Sequence, residues 1–86
     1  MPYIKNEDRR RYDYDVDNIN EQLRHNGDAG HLNYVISTLI NAHFENNKCY
    51  QTINDIVGAL DGAKVEFQRR KVAPYEDEKI KENGDI

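Results

Sequence analysis

Between residues 32 and 43 the apolar side chains recur at intervals of three and one: Leu32, Val35, Ile36, Leu39, Ile40, then His43. Residues three and four apart share one side of an α-helix, whereas a half-buried strand needs strict alternation. This run commits the middle of the chain, about 30–45, to a helix with a wide apolar face. Such a face is the mark of the central helix in a small bundle. Asp28 or Gly30 opens it, and the polar turn Glu45-Asn46-Asn47-Lys48 closes it.

The flanking segments follow the same period. Tyr12, Val16, Ile19 and Leu23 form a narrower stripe, which predicts a first helix at about 13–25 with Gly27 as its stop. Thr52 followed by Asp55 approximates a capping box and opens a third helix at about 52–73. Its buried stripe is Ile53, Ile56, Val57, Leu60, Ala63 and Phe67.

Pro74 is expected to end that helix, because the residue before a proline is pushed out of the helical region. Proline also suits the first position of a helix. Glu76, Asp77 and Glu78 then complement a positive N-terminus, Lys79 and Lys81 the far end, and Gly84 lies just past it. Residues 74–83 thus read as a short fourth helix, pinned only by Tyr75 and Ile80. Residues 1–11 read as an extended arm: Pro2 lacks a donor, and Asn6-Glu7-Asp8 with Arg9-Arg10-Arg11 offers no packing face. Alternation occurs only at Tyr12–Asp17, where the acids favour a helix entrance over a strand. The expected fold is all-α: one domain over 1–86, a small bundle of three main helices plus a short C-terminal one.

At 86 residues there is no room for a second core. Apolar residues make up 37% and charged residues 33%, which is polar for a self-sufficient globule and favours completion by a second copy. Gly58 and Gly62 lie four apart in the third helix, so a backbone can approach there. A crossing inside the monomer is the plainer explanation; an oligomer interface is the sharper one. The net charge of −4, with both signs interspersed, argues against non-specific nucleic-acid binding. No secretory h-region and no apolar run of membrane-spanning length stands out, so a cytoplasmic protein is expected.

Chemistry-bearing residues are sparse. His25, His31, His43 and Cys49 match no zinc spacing, and His43 reads as a hydrogen-bonded core histidine. Cys49 cannot form an internal disulfide, and a structural thiol is favoured over a nucleophile. Ser37, the only serine, lies mid-helix, which leaves no serine triad. Glu7, Asp8, Asp13, Asp15, Asp17 and Glu21 crowd the first helix, as in helical nucleotide pyrophosphohydrolases that hold magnesium. The facing acid pair such an enzyme needs is missing, because Asp55, Asp61 and Glu66 do not share a side. A solvated acidic face is the better reading; metal-dependent nucleotide hydrolysis ranks third among functions. No catalytic residue, metal ligand or cofactor is assigned.

The basic groups are more informative. Arg69, Arg70 and Lys71 stand at the end of the third helix beside Tyr75, where cations already complement the helix dipole. With Arg10 and Tyr12 nearby they would also suit a phosphate and a stacked base.

The opening MPYIKNEDRRR, the central GHLNYVISTLI, the YQTINDIVGAL segment and the closing RRKVAPYEDEKIKENGDI resemble a family of short proteins from bacteria and tailed phages, described only as a domain of unknown function. The resemblance covers nearly the whole chain; MPYI and APYEDEKIKENGD are its most specific parts. It implies a compact helical protein and carries over no catalytic residue. Lys64 departs from the apolar residue expected on the third helix. By analogy, phage kinship points to a non-enzymatic protein that sequesters an immune-signal nucleotide, and so to an anti-defence role in the host cytoplasm. The alternative is a module that binds a host or viral protein.

Overall fold

The computed structural model describes residues 3–86, all helical apart from short connections, with no strand among them. Helix α1 is Asn6–Asn26, α2 Ala29–Asn46 and α3 Tyr50–Phe67. A π-helical segment, Gln68–Val72, follows directly and leads into α4, Ala73–Asn83. The helices group into two compact units, 3–56 and 57–86. Met1 and Pro2, and with them the expectation for Pro2, lie outside the described residues.

The extended arm is shorter than expected, since α1 already begins at Asn6. The backbone N–H groups of Asp8 and Arg9 both donate to the Lys5 carbonyl, each at 3.0 Å. Arg9 Nε adds a bond to the Ile4 carbonyl at 2.8 Å. Glu7 and Asp8 sit in the first turn, where negative charge offsets the positive helix end. A segment without a packing face can still be helical when its charges suit its terminus.

The turn between α1 and α2 consists of Gly27 and Asp28. The Gly27 N–H donates to the Leu23 carbonyl. A Cβ on residue 27 would be driven into the Leu23 backbone, so the turn needs glycine. Asp28 then caps α2, its Oδ1 accepting from the His31 N–H at 3.0 Å. That bond is the main reason the Asp28 carboxyl sits below its ordinary value.

Helix α3 starts two residues before the expected Thr52. Thr52 and Asp55 therefore lie inside the helix and form no capping box; Asp55 instead accepts from Gln51 Nε2 at 2.8 Å.

Pro74 does not end the third helix. Ala73, just before it, keeps helical angles (φ −60°, ψ −47°) despite the usual push away from them. In an α-helix the Pro74 ring would press on the Arg70 carbonyl and leave it without its donor. The wider π turn, in which the Ala73 N–H reaches back to the Gln68 carbonyl, takes up that conflict. Gly84 (φ 87°) then closes α4 in a conformation open mainly to glycine.

No apolar side chain among the described residues is fully buried; Thr52, at 5% exposure, is the buried residue. This corrects three expectations. Helix α2 is not an enclosed central helix, for Leu32, Ile36 and Leu39 stay exposed. His43 is exposed rather than a core histidine. On α3, Ile53, Val57, Leu60 and Phe67 are exposed too, and only Ile56 of that apolar stripe is half-buried. Periodicity tells which side of a helix is apolar and not what covers it.

Candidate functional site

The basic edge belongs to the unit 57–86. Arg69, Arg70 and Lys71 occupy three consecutive positions of the π-helical segment, and Tyr75 follows in the first turn of α4. Arg69 is held from its own helix: Nη2 donates to Glu66 Oε2 at 2.9 Å and Nε to Oε1 at 3.3 Å. Tyr75 carries the Lys79 ammonium over its ring, 5.4 Å from the centroid. The edge is thus three cations on a widened turn, next to a phenol whose face already accepts a fourth.

Arg10 and Tyr12 stand on α1, in the unit 3–56. There the cation over the Tyr12 ring is Arg11, at 5.5 Å, and not Arg10. Gly58 lies on α3, and a Cβ added to it would meet nothing within 4 Å. Gly62, one turn on, is half-buried.

One arrangement was not read from the sequence. The Cys49 carbonyl accepts from the Ile53 N–H at 3.2 Å, which places Cys49 at the N-terminal cap of α3. Its Sγ lies 3.3 Å from Thr52 Oγ1. The Thr52 hydroxyl first, and then the Thr52 N–H, hold the thiol below its ordinary pKa. Sulfur stands where a serine or aspartate oxygen ordinarily caps. The available signal was cysteine followed three residues later by threonine, but attention to Thr52-Asp55 hid it.

Within the unit 3–56, Ile19, Leu23, Gly30, His31, Tyr34 and Val35 line a groove of about 460 Å³ beside the α1–α2 turn. Within the unit 57–86, Glu76, Lys79, Ile80 and Asn83 line a shallower recess of about 320 Å³ near the chain end. Neither includes Arg69, Arg70, Lys71 or Tyr75. Among the described residues no three His, Cys, Asp or Glu side chains converge as metal ligands, and no helix is long and apolar enough to cross a membrane.

A family described as a domain of unknown function matches residues 1–86 from end to end. The chain belongs to the DUF6899 family. No curated protein and no solved structure matches this DUF6899 chain.

Chemically, the DUF6899 chain offers two kinds of surface. One is a cationic, tyrosine-bearing turn able to meet an anion. The other is a set of apolar helix faces open to a protein. Lys64, the residue that departs from the expected apolar pattern, is exposed and interrupts no packed surface.

Proposed function

We propose that this chain is a non-enzymatic interaction module whose apolar helix faces are completed by a protein. The observation that carries the reading is that no apolar side chain among the described residues is fully buried, although α2 and α3 both bear continuous apolar stripes. A soluble domain rarely leaves such contiguous apolar surface open unless a partner takes it. The test is the binding of an apolar fluorescent dye to the purified chain, alongside its mass in solution. A partner-completed module binds dye as a monomer or buries the faces by associating. A strict monomer that binds no dye and melts sharply would overturn the reading.

A second reading is favoured by a separate observation. Arg69, Arg70 and Lys71 ride on a π-helical segment, a form found mostly as short insertions and often at functional sites. Here the module grips a small anionic, base-containing ligand through those cations and Tyr75, consistent with sequestration of a signalling nucleotide. Thermal melts against a panel of cyclic and linear nucleotides test it. Ligand at a hundredfold excess over its dissociation constant adds about 2.7 kcal/mol, and Arg70→Ala should remove that gain. A flat panel rejects this reading and leaves the first untouched.

A further inference from the structure

We propose that α2 is a self-pairing seam, along which two copies of this chain associate through Leu32, Ile36, Leu39 and His43. The inference rests on the interaction reading above and names its partner. These four residues are spaced four, three and four apart, the a/d rhythm of a coiled coil. In that frame Leu32 and Leu39 take d positions, Ile36 and His43 take a positions. Isoleucine at a with leucine at d favours two strands, and a polar residue at a single a position fixes the register.

The three apolar members are open to receive a neighbour: Leu32 is 50% exposed, Ile36 39% and Leu39 63%. Charge identifies that neighbour. The chain is 33% charged, yet Glu45 is the only Asp, Glu, Lys or Arg within the 18 residues of α2. Loss of charge is the compositional mark of an interface centre. The positions that flank the seam, Asn33, Val35, Ile40 and Ala42, are also uncharged, so nothing there repels an identical helix. Helix α1 cannot pair with itself so easily, because Asp13, Asp15, Asp17 and Glu21 would face like charges. A foreign partner selected by charge has nothing on α2 to recognise, whereas a second α2 is complementary as it stands.

The seam is short. From Leu32 to His43 it runs about 17 Å at 1.5 Å per residue, so association should depend on concentration. Sedimentation velocity on the full chain from about 10 to about 500 µM reads it. The mass should climb toward twice that of the chain. Leu39→Asp should weaken association by more than about tenfold. Helical circular dichroism should persist in that variant, because Leu39 is mostly exposed within the chain. Tyr14→Asp, on α1, should associate like wild type. A second measurement stands apart from the folding of the charged variant: Leu39→Cys in a Cys49→Ser background should yield a disulfide-linked dimer on mild oxidation. Wild type that stays monomeric at the highest concentration overturns the proposal. So does Leu39→Asp that associates like wild type, or association without the Leu39→Cys cross-link. A monomer that binds apolar dye would leave the interaction reading standing without the second copy; a monomer that binds none removes both.

Discussion

Cys49 shows how much a single atom can organise at the residue scale. Its exposed thiol caps α3 and is held below its ordinary pKa by Thr52. Thiol labelling followed against pH should therefore show a midpoint below that of an unperturbed cysteine, near 8.5. Thr52→Val, which keeps the shape and deletes the hydroxyl, should move the midpoint upward; an unmoved midpoint would mean that Thr52 does not hold the thiol. Asp28 makes a matching case. Its carboxyl lies below the usual value, so its stabilising effect is complete above the unfolded range near pH 4 and fades as pH falls through the lower folded value. Asp28→Asn should keep the cap and flatten that acid limb in melts against pH, whereas Asp28→Ala should lower the melting temperature at neutral pH as well. Gly27→Ala should destabilise by about 1–3 kcal/mol in denaturant unfolding, since its methyl would collide with the Leu23 backbone.

At the scale of elements, α2 was the most legible part of the chain, because its cap and its apolar period agree. Its limits, 29–46, lie within a residue of the expected 30–45. Helix α1 was harder to place: Asn6–Arg11 carries no apolar stripe, and its helicity rests on charges matched to a helix end. The stretch around Pro74 misled for another reason. Local rules for proline assume an α-helix, and a π turn relaxes the clash on which they depend. Pro74→Ala should therefore stabilise the chain by only about 1 kcal/mol, less than the roughly 3 kcal/mol of a proline relieved from a regular helix interior. Hydrogen exchange at Lys71–Asp77 should slow in that variant; a gain above about 3 kcal/mol would show that the clash had not been relaxed.

For the whole molecule, the fold class was legible and the burial was not. Stripes at helical spacing specify all-α structure however they are covered, while burial depends on what lies opposite. If the faces are completed by a second copy, the melting temperature should rise with protein concentration, and Leu39→Asp should remove that dependence. The candidate edge was legible only in part: Arg69, Arg70, Lys71 and Tyr75 fall together because they are neighbours in sequence, whereas Arg10 and Tyr12 belong to the other unit. The π-helical segment has one more consequence. A wide turn of this kind is equivalent to an α-helix with a residue added, so removing one residue between Gln68 and Val72 should restore plain α-helix. Each residue of helix turns its successors by about 100°, so that deletion would swing Tyr75 and Ile80 to another azimuth. One codon in this stretch therefore steers which way everything after it points.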